Sequence, residues 1–305
     1  MGVLQKVFLL LLMACASVIG AEKKQFVIAF AQDNMANDFR KAQVLQAKEA
    51  AAKYPNVLFL YSDAKAKTSL LIRHIEQFIA EGADALIVGT NHSDLVVPAI
   101  ERAHEKGIAV VIVDRGVNTD RYGCFIHSNN KEIGRIAARY LETKLPKNGT
   151  VLMLQGLENN DVADAREEGF AEVIEKHSRI KVIKRRGNYL RKDTILAMEA
   201  LHKEGVLYDA IYSHSDSMLS GVRTFYARHG LDIKKVPTVG VDYTAEAREA
   251  IKNGEQSATV LFPLAGKEAV QTAVKLLEKK EVPKQIELGV TLITKENIEK
   301  IQPIF

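Results

Sequence analysis

Two apolar runs in this chain each close on an aspartate. IAVVIVDRG, residues 108–116, has six apolar residues followed at once by Asp114 and Arg115. PTVGVD, residues 237–242, ends in the same way on Asp242. A continuous Val/Ile run suits a parallel strand buried on both faces, and open α/β sheets bind ligands beyond the carboxyl ends of such strands. A carboxylate there accepts from two neighbouring hydroxyls, a guanidinium donates in a fixed fork, and an asparagine amide does both. The chemistry is that of holding a polyhydroxylated ligand.

The other strand ends carry the same residue types. Asn34, Phe39 and Arg40 follow the first apolar run, and Asn91 and His92 follow the third. Arg166 comes after TVLMLQ together with Asn159, Asn160 and Asp164, Ser215-Asp216 follow DAIYSH, and Asn129 opens a helix between the two halves. Phe39 offers a ring to the apolar C–H face of a sugar. Some of these residues have an equally good local explanation. Asp38, Asp94, Asp164 and Asp216 each stand at a helix start, where a carboxylate caps free backbone N–H groups. Asp114, Arg166 and Asp242 have no such alternative role.

Motifs for covalent chemistry are missing. No glycine-rich phosphate loop follows the first strand, and neither a GxSxG elbow nor an HExxH helix occurs. His92, His127 and His214 all follow strands, and three histidines can hold zinc, but they lack a local ligand spacing. Ordinary hydrogen-bonded histidines fit better, and no metal or cofactor is expected. Paired carboxylates can hydrolyse glycosides, which keeps a bilobal hydrolase as a rival reading.

The elements that would position these residues alternate regularly. Strands at 26–31, 57–62, 85–90 and 108–113 are separated by helices at 39–53, 68–81 and 94–106. Gly82 and Gly107 fall where left-handed helix caps are expected. The order recurs with strands at 150–155, 180–185, 209–214 and 237–242 and helices at 163–176, 192–204 and 218–229. Between the halves a strand and a helix span 124–145, and after them come a strand at 257–263, a helix at 266–279 and a final strand and turn at 290–301. ADALIVGTNHSD aligns with YDAIYSHSDS, and AVVIVD with PTVGVD. The expected fold class is α/β, with two doubly wound parallel-sheet lobes. One lobe comprises residues 25–127 with 262–289, the other 128–261 with 290–305. Three short crossings, near 126–128, 260–262 and 289–291, form a hinge, since no linker is rich in Gly, Pro or Ser.

Composition bounds the remaining choices. At 305 residues the chain suits two cores better than one. A net charge of +4 with dispersed basic residues gives no nucleic-acid footprint. Residues 1–21, with Lys6 ahead of VFLLLLMACASVIGA, read as an export signal too short for a secure membrane span. Cleavage after Gly20 would free Ala21. Alternatively, Leu12-Met13-Ala14-Cys15 resembles a lipoprotein box that makes Cys15 a lipidated N-terminus. Only two cysteines occur, so Cys124 has no partner in the exported chain and reads as a small buried thiol.

The ordered series GADALIV, GIAVVIVDR, HSNNKEIG, AREEGF, YSHSDSMLSG and GVD resembles the ribose-binding class of type I periplasmic sugar-binding proteins over nearly the full mature length. That resemblance implies a periplasmic, monomeric protein that captures a sugar for the permease of an ABC importer, or for a chemoreceptor or sensor kinase. It assigns sugar contacts to Asp114, Arg115, Arg166, Ser215, Asp216 and Asp242. Ser215 stands where an asparagine is usual, and Leu261 where ribose binders carry a glutamine. QDNMANDFR, with its Phe39-Arg40 pair, is more similar to the galactofuranose-binding branch. These departures point away from ribose. A furanose, another pentose or hexose, or an anionic sugar all fit the pattern.

Overall fold

The computed structural model describes residues 25–305 apart from 147 and 178–179. The export signal and Cys15 lie outside the described residues. Two six-stranded sheets organise the fold. The first runs β11-β5-β4-β3-β1-β2 and the second β12-β10-β9-β8-β6-β7. In chain order the first sheet takes β1 (Phe26–Gln32), β2 (Val57–Asp63), β3 (Ala85–Gly89), β4 (Ala109–Val113), β5 (Cys124–Ser128) and, much later, β11 (Gln285–Leu288). The second takes β6 (Thr150–Gln155), β7 (Lys181–Arg186), β8 (Ala210–Ser213), β9 (Thr238–Asp242), β10 (Ala258–Leu261) and β12 (Thr291–Ile293). Every pairing is parallel except β10 with β12. The internal repeat is therefore a repeat of topology.

Burial explains why these segments are strands. β3 and β9 are buried at every residue, as a sheet covered on both faces requires. The edge strand β7, KVIKRR, has no buried residue. Its lysines and arginines discourage edge pairing with another chain. In the first lobe, α1 (Asp38–Ala51) and α9 (Gly266–Leu277) cover one face, and α2 (Thr68–Ala80) and α3 (Val97–Glu105) the other. In the second, α4 (Asn130–Glu142) and α5 (Asp161–His177) oppose α6 (Arg191–Lys203) and α7 (Asp216–Arg228). Each fully buried Leu, Ile, Val or Phe side chain contributes about 1.5–3 kcal/mol to these layers.

The chain leaves the first sheet after β5, returns through Phe262–Ala265 after β10, and crosses again between β11 and β12. Gly82, Gly107, Gly205 and Gly230 end helices at φ +78°, +76°, +65° and +63°, as the cap reading requires. Two elements escaped the sequence reading. α8 (Ala245–Lys252) is only eight residues long and starts from a Thr244 cap. β11 is half exposed and lacks an apolar run. The helix expected from residue 94 begins at Val97, with Pro98 in its first turn, where a missing N–H costs nothing.

Candidate functional site

In both sheets the strand order reverses at the first strand of the repeat, between β1 and β3 and between β6 and β8, and the crevice outside the strand ends opens there. Buried amides fix the first lobe's side. Gln32, at the end of β1, donates from Nε2 to Gln43 Oε1 at 3.0 Å, and Gln43 donates to the Leu264 carbonyl at 2.6 Å. This chain ties β1, α1 and the returning segment together. Asn37 caps α1 by accepting from Arg40 N at 3.1 Å, which turns Phe39 and Arg40 inward.

Arg40 is the centre of a buried charge cluster. Its Nη2 lies 2.9 Å from Asp114 Oδ2 and its Nε 3.9 Å from Asp33 Oδ1. Arg115 Nε stands 3.9 Å from the same Asp114 oxygen. Burial opposes the Arg40 charge, but Asp33 and Asp114 outweigh it and its pKa rises. Arg115 falls below its ordinary value through burial, reinforced by Arg40. Burial also raises Asp33, against Arg40 and Arg115.

The second lobe presents Arg166 and Asp242. Helices α4 and α5 touch backbone to backbone: a Cβ on Gly134 would strike the Arg166 carbonyl, and one on Gly169 the Lys131 carbonyl. Arg166, 2% exposed, donates from Nε to Asn130 Oδ1 at 2.9 Å and from Nη1 to the His214 carbonyl at 2.6 Å. Its guanidinium lies 4.8 Å from the Phe262 ring centroid, and Phe262 stacks on Phe39 at 4.8 Å. Phe39 thus has one face already covered. Burial lifts Asp242 well above the ordinary carboxylate range, and the Asp216 carboxylate adds to the shift while Arg166 opposes it. Asp114 and Asp242 both hold left-handed backbone, at φ +67° and +112°, a conformation that non-glycine residues keep only where the surroundings enforce it.

Together these groups enclose a cavity of about 360 Å³ between the lobes. Among the sequence-derived candidates, Asn34, Phe39, Arg40, Asn91, Asp114, Arg115, Arg166, Ser215 and Asp242 line it. Asn129 and Asp216 do not. Asn129 caps α4, accepting from Glu132 N at 2.9 Å. Asp216 is buried beneath the site, where its carboxylate accepts from Tyr243 N at 2.8 Å, Thr244 N at 3.3 Å, Gln256 Nε2 at 2.8 Å and Thr259 Oγ1 at 2.9 Å. Ser215 is at once a lining residue and the cap of α7. Asn34 spends its carbonyl oxygen on Ala36 N at 2.9 Å.

The three histidines do not converge on this cavity. His127 stacks on Phe125, His92 turns its backbone into Thr90, and buried His214 accepts from Gly156 N at 3.3 Å. Burial drives the His214 pKa well below its ordinary value. Among the described residues no group of His, Cys, Asp or Glu is arranged to hold a metal. Cys124 is fully buried, and burial pushes its thiol up to about 11.

Sequence reasoning missed Asp33, Asn37, Asn188, Tyr189, Asp193 and Phe262, all of which line the cavity. Phe262 follows β10, a strand end the fourfold count stopped short of. Tyr189 sits in the Gly-Asn turn after β7, an edge strand whose polar sequence drew no attention. The Tyr189 ring occupies the space where Gly156 lacks a Cβ, and it lies 5.9 Å from the Arg115 guanidinium. Several buried polar atoms have no hydrogen-bond partner within the protein: both Asp33 oxygens, Asp114 Oδ1, Asn91 Oδ1, Arg40 Nη1, Arg115 Nε and Nη1, and the Tyr189 hydroxyl. Buried polar groups are otherwise almost always paired.

Two doubly wound lobes on a three-crossing hinge, with a polar cavity between them, define the type I periplasmic binding class. The chain belongs to that family: the profile described as periplasmic binding protein domain matches residues 28–281. The ribose import binding protein of Bacillus subtilis (strain 168) is 28% identical over 276 residues, covering 90% of this chain and 89% of that one. The arabinose-transporter binding protein of Shewanella sp. ANA-3, solved with α- and β-L-arabinofuranose, superposes with a TM-score of 0.84 at 26% identity, covering 90% of this chain and 93% of its own. The fructose-binding periplasmic domain of a hybrid two-component system superposes with a TM-score of 0.81 at 26% identity, covering 91% and 93%. The family and these relatives are binding proteins.

Proposed function

We propose that this protein is a monomeric periplasmic receptor that closes its two lobes on a neutral sugar and hands it to the permease of an ABC importer. The observation that carries the reading is the set of unpartnered groups in the cavity. Acceptors on Asp33, Asn91 and Asp114 stand beside donors on Arg40 and Arg115. A polyol supplies both kinds of partner to every such group, whereas an inorganic anion would satisfy only the donors. The volume of about 360 Å³ falls at the small end of the range of small-molecule sites, which suits a single sugar ring. The arabinofuranose-bound relative supports a furanose among the candidates.

In this reading Asp114, Arg115, Arg40 and Asn91 grip the ligand from one lobe, and Arg166, Asp242, Ser215 and Tyr189 from the other. Asn34 contributes its amide N–H, and Phe39 presents an edge or its free face. Residues 25–127 with 262–289 move as one body, and 128–261 with 290–305 as the second. Sheet membership of the strands supports that division. Binding proceeds without covalent chemistry, so incubation with glycosides should release no product. Export follows from the N-terminal segment, with Cys15 the anchor point if the lipoprotein route is taken.

A thermal-shift screen against ribose, arabinose, galactose, fructose, allose and myo-inositol tests the proposal. A ligand that binds only the folded state raises the melting temperature by mass action. No shift with any neutral sugar, together with a shift from a sugar acid or phosphate, would replace the neutral ligand by an anionic one. The similarity to a two-component periplasmic domain favours a second reading, in which the closed form is read by a sensor kinase. Co-purification with a permease or with a kinase separates the two.

A further inference from the structure

Away from the cavity, a second set of polar contacts joins the lobes. Asp38, the first residue of α1, belongs to the first lobe. Its carboxylate accepts from Ser217 Oγ at 2.9 Å and from Arg191 Nη1. Both partners sit on second-lobe helices, α7 and α6. Arg191 is held by its own lobe independently of Asp38: Nε donates to Ser220 Oγ at 3.2 Å and Nη2 to Glu246 Oε2 at 3.0 Å. Glu246 is fixed in turn by Arg223 at 2.6 Å. One nitrogen of a preset fork is thereby aimed at the facing lobe, and a preset fork loses less side-chain freedom on pairing. Beside it, Asn37 Nδ2 donates to the Tyr189 carbonyl at 3.2 Å.

We infer that Asp38, Arg191 and Ser217 form a closure latch that sets how long the lobes stay shut without touching the ligand. None of the three lines the cavity. Hinge opening separates residues on opposite lobes, so these contacts exist in the closed form alone. A contact made in one conformation only shifts the equilibrium toward it by its own free energy, with or without ligand. The latch also differs from the cavity cluster in exposure. The Asp38 and Arg191 side chains are 35% and 45% exposed, against 5% for both Arg40 and Asp114. Salt therefore screens the latch and spares the cavity pair.

The inference rests on the cleft being the sugar site, and two measurements keep the two claims apart. Wild type, Asp38→Asn, Arg191→Gln and the conservative Asp38→Glu are compared by stopped-flow dissociation of whichever panel sugar wild type binds, in low and high salt. The first two variants should release sugar about two- to fivefold faster. Both should also lose the salt dependence of koff, and Asp38→Asn, which leaves the bonds of Arg191 to Ser220 and Glu246 in place, should keep the ligand-free melting temperature, while Asp38→Glu recovers slow release. Equal koff and equal salt dependence in Asp38→Asn would overturn the latch. If wild type binds no sugar of the panel, the sugar reading fails and solution X-ray scattering of the ligand-free proteins decides the latch alone. Asp38→Asn must then be more extended than wild type in low salt and identical to it in high salt, and matching curves in both salts would overturn it.

Discussion

Asp114 and Asp242 occupy the same place in the two halves and do different work there. Each ends the fourth strand of its half and each holds left-handed backbone. Their surroundings are electrically opposite. Asp114 lies between two arginines, 2.9 Å from Arg40 and 3.9 Å from Arg115. Asp242 sits over a second carboxylate, Asp216, which adds to burial in lifting its pKa well above the ordinary carboxylate range. The repeat reproduced a backbone corner, and the neighbours set its charge environment, arginines flanking Asp114 and a carboxylate underlying Asp242. Topology in this fold is inherited twice over, whereas electrostatics is set position by position.

The largest expected effect lies under Asp242. Asp216 accepts four hydrogen bonds from buried donors, two of them the backbone N–H groups of Tyr243 and Thr244. Asp216→Ala leaves all four donors unsatisfied and should cost about 3–4 kcal/mol of folding stability. Urea unfolding of the ligand-free protein measures it. The first lobe has no such post beneath Asp114, where the partners are side chains lining the cavity itself. A loss below about 1 kcal/mol would mean that the two corners are supported alike.

Isosteric amides test the electrical contrast directly. Asp114→Asn removes the charge between Arg40 and Arg115 and a charge-assisted bond to the ligand, and should weaken sugar affinity by about 1.5–3 kcal/mol. Asp242→Asn puts a neutral amide of the same shape where burial and Asp216 already disfavour a charge, and should cost under about 1 kcal/mol. Calorimetry on both variants gives the ratio. Equal losses would remove the distinction between the two aspartates.

Much of this was legible in the sequence because the signals were local. Unbroken apolar runs marked the buried strands, glycines marked the helix ends, and the alternation of elements fixed the doubly wound order. Asp114, Arg166 and Asp242 stood out because each follows such a strand. What escaped detection depends on distance. Asn129 and Asp216 have the right residue type beside the right element, yet one turns to its own helix and the other beneath the site. Only three-dimensional packing separates those outcomes. Tyr189 and Phe262 were hidden for a different reason, since they enter the cavity from the loop after a polar edge strand and from a hinge segment outside the fourfold repeat.

Acid–base behaviour should also differ between the corners. Burial raises Asp216 to about 6, against the contributions of its four hydrogen bonds, and lifts Asp242 well above its ordinary value as well. The folded state then binds these protons more tightly than the unfolded chain. Their stabilisation is fully present below the ordinary carboxylate range and is lost as pH rises through the raised folded values, about 6 for Asp216. Between pH 5 and 7 the Asp216 share of that loss should be about 1 kcal/mol. Urea unfolding across this range should show the decline, and Asp216→Asn should flatten it. An Asp216 contribution that instead grows with pH would place its folded pKa below the ordinary value and dissolve the contrast.

The smallest effect concerns two asparagine caps. Asn129 and Asn37 each accept from a backbone N–H three residues on, opening α4 and α1. Asn37 does more, since its amide also reaches the Tyr189 carbonyl across the cleft. Asn129→Ala should therefore cost about 0.5–1 kcal/mol of stability through the lost cap and leave the sugar Kd unchanged. Asn37→Ala should cost a similar amount of stability and, in addition, weaken binding, because the closed form loses a contact the open form never had. Paired unfolding and calorimetry on the two variants isolate the cleft contact from the cap. If Asn129→Ala weakens binding as much as Asn37→Ala, the hinge helix reaches the ligand after all, and Asn129 regains the binding role its position in the sequence implied.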